Sequence, residues 1–320
     1  MLMMRFVAAI FSVTVLGILG TDLVFGQTYP YRPIRVLTAT IGGGSDVLAR
    51  IVAQEITGPM GQPLIIDNRA TVVAPEVVAK APPDGYTILI LSNVTWNTSL
   101  VRKVSYDPVK DLAPITMAAK YPSLVVVHPS LGLSSVKELI ALAKAKPGVL
   151  NASTGSTGGA GHLALELFKS MSGVNITRVP YSSGSQEIAD LLGGRMQMTL
   201  GTGPEMAPHI KSGKLKGLAV TTAQPTPLFP DLPTVAASGV PGYQFESSYN
   251  VLAPANTPAA IINRLNREIV QGLNKPSAKQ LVFDSGAEVV TSTPAELAAV
   301  RDAELARLGK VLREAGITVQ

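Results

Sequence analysis

The chain has 320 residues, a formal net charge of +5, 5% aromatic residues and no cysteine. This length is enough for two domains and for a core that needs no disulfide bonds. Lysines and arginines are spread singly along the chain, so it has neither the basic stripe nor the stacking surfaces of a nucleic-acid-binding protein. The mild positive charge predicts only a faster encounter with small anions.

Residues 1–26 have the pattern of a secretory signal peptide. Arg5 supplies a positive charge, Phe6–Leu19 is apolar, and Val24-Phe25-Gly26 precedes a predicted cleavage near Gln27. The apolar segment is too short and wrongly flanked for a membrane-spanning helix. We therefore predict a periplasmic protein that loses this peptide, with an uncleaved N-terminal anchor as the alternative.

From Pro33 onward, short β-branched runs alternate with segments of helical spacing. The predicted strands are Ile34–Thr40, Leu64–Asp67, Thr87–Leu91, Leu124–His128, Leu150–Ser153, Ile176–Pro180, Met196–Leu200, Leu215–Val220 and Val251–Ala253. The predicted helices are Asp46–Thr57, Glu76–Lys80, Val136–Ala145, Leu163–Met171, Gln186–Leu192, Glu205–Lys211, Ile261–Leu273, Ala278–Asp284 and Ala295–Glu314. This alternation indicates βαβ units and an α/β fold with largely parallel sheets.

Two stretches have the character of crossings between lobes. One is Tyr121–Leu124, and the other is the proline-rich loop Pro225–Pro241, which leads to the strand before Pro254. We predict that lobe 1 comprises residues 27–123 plus 249–320 and that lobe 2 comprises residues 124–248. Two crossings form a pair of hinges, which is the anatomy of closure around a ligand.

The segment Thr38–Arg50, TATIGGGSDVLAR, places three glycines between a strand and a helix. It lacks the Lys-Ser/Thr of a phosphate-binding loop, and its glycines are not spaced as G-x-G-x-x-G. With Ser45 as N-cap and a helix from Asp46, the first N–H groups lack helical partners and favour an anion. The alternative for this motif alone is a tight turn with a good cap.

Similar arrangements recur in the second half of the chain. A glycine and hydroxyl loop, Thr154–Gly161, precedes a helix, and Ser183-x-x-Gln186 and Thr202-x-x-Glu205 resemble capping boxes. Such loops gather at the carboxyl ends of parallel strands, where ligands bind. Together they predict a small anion held between two lobes by backbone N–H groups and hydroxyls.

The sequence offers little for catalysis or metal binding. His128, His162 and His209 stand far apart, and neither HExxH nor G-x-S-x-G occurs. His162 lies beside a glycine loop, where capping of its own loop is favoured over a role as general base. We predict no catalytic residue, no metal and no cofactor.

The chain resembles the Bug-type receptors, the extracytoplasmic solute-binding proteins of tripartite tricarboxylate transporters. The resemblance runs from about Tyr29 to Thr318 and rests on eight segments in order: YPYRPIRVLTATIGGGSDVLAR, GQPLIIDNR, VAKAPPDGYTILI, STGGAGHLALELF, VPYSSGSQEIADLLGGRMQM, PHIKSGKLKGLAVT, FPDLPTVAASGVPGY and LAPANTPAAIINRLNREI. Each segment alone is loose, but their order behind an export signal is specific.

The resemblance implies a two-lobed periplasmic binding protein fold of type II, closing on one small organic carboxylate. It further implies a monomer, delivery to membrane permease subunits and no enzymatic activity. The positions that match the family's ligand loops are Ile41, Gly42, Gly43, Ser92, Asn93, Thr154, Gly155, Ser156, Tyr181 and Thr202.

The chain also departs from the family pattern. Ala70–Pro75 replaces a glycine-rich segment beside the pocket, and the acidic residue often found near Gly201 is missing. We therefore expect one pocket wall to be more apolar and the carboxylate to carry an apolar or aromatic body. Two other functions remain open: an exported α/β enzyme with His162 as base, and a sensory or interaction module whose cleft is vestigial.

Overall fold

The structure is a computed structural model that describes residues 29–39, 41–155, 157–181 and 184–314. The predicted signal peptide therefore lies outside the described residues, as do Ser156, a predicted ligand residue, and Ser183, the predicted helix cap. Within the described part of the chain, no helix combines the length and apolar character needed to cross a bilayer.

Ten strands are described, and most follow the predicted apolar runs. They are β1 (Ile34–Thr38), β2 (Leu64–Asn68), β3 (Thr87–Ser92), β4 (Leu112–Val127), β5 (Asn151–Thr154), β6 (Thr177–Pro180), β7 (Met198–Thr202), β8 (Lys216–Val220), β9 (Glu246–Pro254) and β10 (Glu288–Val289).

Ten α-helices and two short 3₁₀ turns connect the described strands. The helices are α1 (Gly44–Met60), α2 (Val73–Ala79), α3 (Val94–Asn97), α4 (Val136–Ala145), α5 (Ala160–Ser172), α6 (Gly184–Leu192), α7 (Gly203–Lys211), α8 (Ala259–Leu273), α9 (Pro276–Asp284) and α10 (Pro294–Glu314). The 3₁₀ turns are Thr98–Leu100 and Pro129–Leu131.

The strands form two sheets that share β4. In the first, β2, β1 and β3 are parallel, β9 runs antiparallel to β3, and β4 pairs with β9 and β10. In the second, β6, β5 and β7 are parallel, and the end of β4 runs antiparallel to β7 and β8. The predicted α/β architecture with parallel βαβ units is confirmed.

Strand β4 is the largest difference from the predicted elements. Its last residues were expected as a strand over Leu124–His128, but it begins at Leu112 and runs for 16 residues. Pro114 and Pro122 hide this strand in the sequence, because proline cannot donate to a ladder and usually argues against a central strand. Here the register against β9 shifts between Pro114 and Thr116, an irregularity that accommodates the first proline.

Alternating side chains of the sheets enter separate cores. Ile34 and Val36 face the core that α1, α8 and α9 cover, whereas Leu37 faces a second core with Trp96 and Leu297. This division follows from the two-residue period of a strand covered on both faces. The second sheet divides its side chains in the same way.

The C-terminal helix α10 packs against the cores of both sheets. Leu297 lies in a core of the first sheet, while Leu308 and Leu312 lie in a core of the second. Between them, the Glu304 carboxylate accepts hydrogen bonds from three side chains of the β3–α3 region, at 2.6 Å from Asn93 Nδ2, 3.0 Å from Trp96 Nε1 and 2.9 Å from Asn97 Nδ2. Burial raises the pKa of Glu304 despite these three donors.

Substitution of Glu304 tests how much this contact stabilises the chain. Glu304→Ala leaves three buried donors without an acceptor, and each such donor costs about 1–3 kcal/mol. We expect a loss of roughly 3 kcal/mol in the free energy of unfolding, measured by urea denaturation. The control is Glu314→Ala on the same helix, whose exposed side chain should change stability by less than about 0.5 kcal/mol. Equal losses in the two variants would contradict the assignment.

Candidate functional site

A cavity of about 340 Å³ lies where the carboxyl ends of β1, β3 and β7 approach β4 and β9. The first sheet and its loops contribute Ala39, Gly42, Gly43, Gly44, Ser45, Thr71, Leu91 and Ser92. The β7–α7 junction contributes Thr202, Pro204 and Glu205, and strands β4 and β9 contribute Tyr121 and Tyr249. The cavity therefore draws on both halves of the molecule.

Helix α1 begins earlier after the glycine turn than predicted. The helix begins at Gly44, with Gly43 as N-cap in extended conformation and no side-chain cap. Ser45 was predicted as the N-cap, but it lies in the first turn and is buried. That prediction is wrong because the Gly43 carbonyl already accepts from the N–H groups of Asp46 and Val47, which places the cap two residues earlier.

Asp46 uses part of the anion-binding capacity of this turn. Its carboxylate accepts the Gly42 N–H at 3.0 Å, Asn68 Nδ2 at 2.9 Å and Arg50 Nη2 at 3.0 Å. Burial alone would raise the pKa of Asp46, but the hydrogen bonds from Arg50, Asn68 and Gly42 outweigh it and lower that pKa. The Gly42 amide is thus consumed internally, contrary to the role expected from the sequence.

The following amides have a different environment. No described residue accepts a hydrogen bond from the N–H groups of Gly44 or Ser45, and both residues line the cavity. They belong to the first turn of a 17-residue helix, where the backbone dipole favours negative charge. The turn therefore retains donors for an anion on its cavity side.

Gly44 is required by close packing rather than by an unusual backbone angle. A Cβ at this position would lie 1.9 Å from the hydroxyl oxygen of Tyr249 and 2.9 Å from its Cζ atom. Tyr249 stacks on Tyr121 with ring centroids 4.4 Å apart, and each is less than 10% exposed. Burial raises the pKa of both phenols, to about 12 for Tyr121, so both hydroxyls keep their protons at neutral pH.

The β7–α7 junction does not form the predicted capping box. The Thr202 hydroxyl donates to Glu205 Oε2 at 2.7 Å instead of accepting a backbone N–H. The prediction failed because a threonine hydroxyl can donate as well as accept, and a carboxylate is the stronger acceptor. Thr293-x-x-Glu296 does form both hydrogen bonds of a capping box.

The described residues of the loop after β5, and Tyr181 after β6, make internal contacts. Thr154 Oγ1 accepts the Arg178 Nε–H at 2.9 Å, the Tyr181 hydroxyl donates to Asp190 at 2.9 Å, and a Cβ at Gly155 would lie 3.9 Å from Glu187 Oε2. None of Thr154, Gly155 and Tyr181 lines the 340 Å³ cavity. Their predicted contacts with a ligand stay predictions.

His162 caps its own loop. Its Nδ1 atom accepts the Gly158 N–H at 3.0 Å, and the ring is buried. Burial, together with the charges of Arg178 and Lys169, lowers the pKa of His162 to about 3. The ring is therefore neutral at physiological pH, with one nitrogen engaged, and it does not line the cavity. The described residues also contain no cluster of three or more metal-ligating side chains.

Of the ten predicted ligand residues, the cavity brings together Gly42, Gly43, Ser92 and Thr202. The Asn93 side chain instead donates to Glu304 and holds the β3–α3 turn, and the Ile41 side chain is 78% exposed outside the cavity. The segment Ala70–Pro75 contributes Thr71 to the lining, whereas Val72 and Val73 are exposed. That this segment makes one wall more apolar stays a prediction.

Tyr121, Tyr249 and Glu205 are among the lining residues that were not predicted as ligand residues. The tyrosines stand on β4 and β9, which are far apart in the sequence, and only the tertiary pairing of these strands stacks them. Glu205 was visible only as a capping residue. The sequence signal that could have identified Glu205 is its position three residues after Thr202. Thr202 ends strand β7, whose carboxyl end faces the cleft.

The two sheets with a cleft between them define a two-lobed periplasmic-binding-protein fold. Residues 48–317 match the tripartite tricarboxylate transporter family receptor, and the chain belongs to this family. It is 35% identical to the protein BugT of Bordetella pertussis over 257 residues, which are 78% of this chain and 79% of BugT.

Solved structures give the same assignment. The R. palustris protein Rpa4515, solved with adipate, superposes with a TM-score of 0.83 at 36% identity and covers 91% of this chain and 100% of its own. The periplasmic binding protein BugD has a TM-score of 0.80 at 27% identity, with coverage of 91% and 100%. The chain is thus a solute-binding receptor of a transporter family.

Substitution of Gly44 tests its contact with Tyr249. Gly44→Ala places a methyl group where the tyrosine hydroxyl lies, and overpacking of this kind costs about 1–3 kcal/mol. We expect that loss in denaturant unfolding and a partial recovery in Gly44→Ala/Tyr249→Phe, which removes the nearest atom. The control is Gly58→Ala, where no heavy atom lies within 4 Å and the helix should gain up to about 1 kcal/mol. A Gly44→Ala protein as stable as the wild type would contradict the packing.

The lowered pKa of His162 predicts a specific pH dependence of stability. The folded-state pKa of about 3 lies below the ordinary value of 6.5, so this contribution is complete above pH 6.5 and is lost as pH falls towards 3. One proton gives a slope of up to about 1.4 kcal/mol per pH unit. Urea unfolding between pH 7 and pH 4 should show a shallower slope for His162→Gln than for the wild type. His209→Gln is the control and should keep the wild-type slope.

Proposed function

We propose that the protein is an exported, non-catalytic receptor that captures a small organic carboxylate between its lobes and delivers it to a membrane permease. The observation that carries this proposal is the cavity in which unused amides of α1 meet groups from the other half of the chain. Gly44 and Ser45 supply N–H donors and Ser92 supplies a hydroxyl from the first sheet, while Thr202 lines the cavity from the second sheet. A carboxylate is the anion that such donors suit.

The expected strength of binding agrees with this role. A hydrogen bond to a charged group contributes about 1.5–3 kcal/mol, and a helix N-terminus about 0.3–1 kcal/mol more. Four such bonds, less the cost of association, reach the ~8 kcal/mol of a micromolar complex. A transport receptor needs affinity of this order, because it must also release its ligand.

Contacts across the cleft support closure around the ligand. Thr226 Oγ1 donates to Glu288 Oε1 at 2.6 Å, which joins the loop after β8 to β10 of the first sheet. A Cβ at Gly286 would lie 2.9 Å from Pro204, and one at Gly158 would lie 2.8 Å from Val101. The hydrogen bond and the two close approaches join residues of the two proposed lobes, as a closed receptor requires.

The lobe limits and the site of action form part of the same proposal. Lobe 1 comprises residues 27–123 plus 249–320, and lobe 2 comprises residues 124–248. The change of partner on β4, from β9 at Pro122 to β7 at Ser123, supports the first limit. The signal-like residues 1–26 and the periplasmic relatives support export. We further propose that the receptor acts as a monomer with the permease subunits of a tripartite transporter.

A catalytic function has no support from the described geometry. The candidate base, His162, is neutral, bonded to its own loop and outside the cavity. The adipate bound to the similar Rpa4515 is a further argument for a receptor of organic acids. A vestigial cleft is disfavoured by the open volume of about 340 Å³ and its polar lining.

Binding of organic acids tests the proposed function. Isothermal calorimetry against three- to six-carbon carboxylates and benzoate should give micromolar dissociation constants for at least one acid, with a rise in melting temperature. Ser92→Ala should weaken that binding by about tenfold, because it removes one hydrogen bond to a charged ligand. Ser212→Ala, on an exposed turn remote from the cavity, is the matched control and should bind as the wild type does. Absence of binding by the folded protein across the whole panel would contradict the proposal.

A further inference from the structure

Helix α10 joins the two sheets on one side of the molecule. Its residue Leu297 belongs to the core on the face of the first sheet opposite α1, and its residues Leu308 and Leu312 belong to the core of the second sheet that contains α5. The ligand cavity instead lies between the starts of α1 and α7, which pack on the other face of each sheet. One side of the hinge therefore carries α10, and the other side carries the cavity.

On the α10 side, the two sheets share one continuous apolar core. Val101, which follows the Thr98–Leu100 turn after β3, is buried in the same core as Leu308, Leu312 and the side chains of α5. A Cβ at Gly158 would lie 2.8 Å from Val101 Cγ2, so the loop before α5 touches this segment directly. Separation of the sheets on this side would expose buried aliphatic side chains to water, at a cost that grows with their apolar area.

Polar contacts anchor the middle of α10 as well. The Glu304 carboxylate accepts its three hydrogen bonds from the β3–α3 region, and the buried Arg301 donates from Nη1 to the Pro108 carbonyl at 3.3 Å. Further along the helix, Arg307 Nη1 donates to the Gln244 carbonyl, just before β9, at 3.0 Å. The helix is thus held by both halves of the chain and has the position of a strap across the hinge.

On the cavity side, the two sheets meet through a polar contact. Thr226 Oγ1 donates to Glu288 Oε1 at 2.6 Å and accepts the Leu228 N–H at 3.2 Å. Pro204, which lines the ligand cavity, lies 2.9 Å from the Cβ position of Gly286, two residues before Glu288. A second cavity of about 300 Å³ adjoins the Thr226–Glu288 hydrogen bond, so water can take the place of either partner when the contact separates.

We propose that the receptor opens on one side only, with α10 as a strap that stays in place and the Thr226–Glu288 hydrogen bond as the latch that releases. The proposal rests on the proposed function, because it describes how the same cavity admits its ligand. The physical reason is the difference between the two contacts, since water replaces a hydrogen bond but does not replace apolar packing. Thr226 and Glu288 are then positioning residues, which hold Pro204 at the cavity without lining it themselves.

Distances between spin labels on the two halves test this asymmetry. Because the chain has no cysteine, two introduced cysteines are its only thiols. The pair Lys211→Cys/Lys279→Cys, on α7 and α9, reports the cavity side, and the pair Lys110→Cys/Lys144→Cys reports the α10 side; all four positions are exposed. In double electron–electron resonance of the protein without added ligand, we expect a closed and an open distance for the first pair and one distance for the second.

Substitutions of Thr226 test the latch in the same measurement. Thr226→Val removes the hydroxyl at nearly constant volume, and we expect the ratio of open to closed protein at the first pair to rise at least about fivefold, as the loss of one hydrogen bond to a carboxylate implies. The second pair should keep its distance. Thr226→Ser retains the hydroxyl and is the matched control, which should keep the wild-type ratio.

Two results would overturn the asymmetric opening. One is a separation of the α10-side pair as large as that of the cavity-side pair, which would mean that α10 does not hold the sheets together. The other is an unchanged ratio in Thr226→Val, in a variant with the circular dichroism spectrum of the wild type. Neither result depends on an acid, so both leave a carboxylate receptor intact, whereas absence of binding across the acid panel contradicts the proposed function.

Discussion

The antiparallel pairing of β4 with β9 is the constraint on which the site depends. The pair runs from Leu112 opposite Pro254 to Pro122 opposite Glu246, and β4 then continues into the second sheet. This continuity places Tyr121 and Tyr249 at the junction, where they stack on each other and one of them fills the space beside Gly44. Because β4 belongs to both sheets, a loop of one sheet can face a loop of the other at a defined distance.

The glycine turn shows how a general anion-binding motif becomes specific. A helix start offers several N–H donors, but the Asp46 carboxylate accepts the Gly42 N–H in addition to hydrogen bonds from Asn68 and Arg50. The remaining donors face the cavity because Gly44 allows Tyr249 to approach the backbone. In the second half of the chain, His162 Nδ1 accepts the Gly158 N–H in a comparable manner. Internal acceptors thus decide which amides remain for a ligand.

Much of the fold was predictable from the sequence, and the reason is local. The apolar runs at Ile34, Leu64 and Thr87 alternate with helical segments, and helix α4 has the predicted bounds Val136–Ala145. Strand β4 was not predictable over its full length, because its prolines argue against a strand unless the partner's register is known. The site was predictable only in part. Gly43 and Ser92 line the cavity, whereas the Asn93 side chain donates a hydrogen bond to Glu304 and does not line it.

The sequence by itself determined the alternation of strands and helices, the family and the glycine-rich helix starts, because each depends on neighbours along the chain. The tertiary structure alone decided which side chains bond to the backbone of the glycine turn, which tyrosines meet and that Glu205 lies at the cavity. The physical reason is that a hydrogen bond or a charge contact needs a partner at a defined distance. Residues such as Gly44 and Tyr249, or Asn93 and Glu304, are about two hundred positions apart until the chain folds.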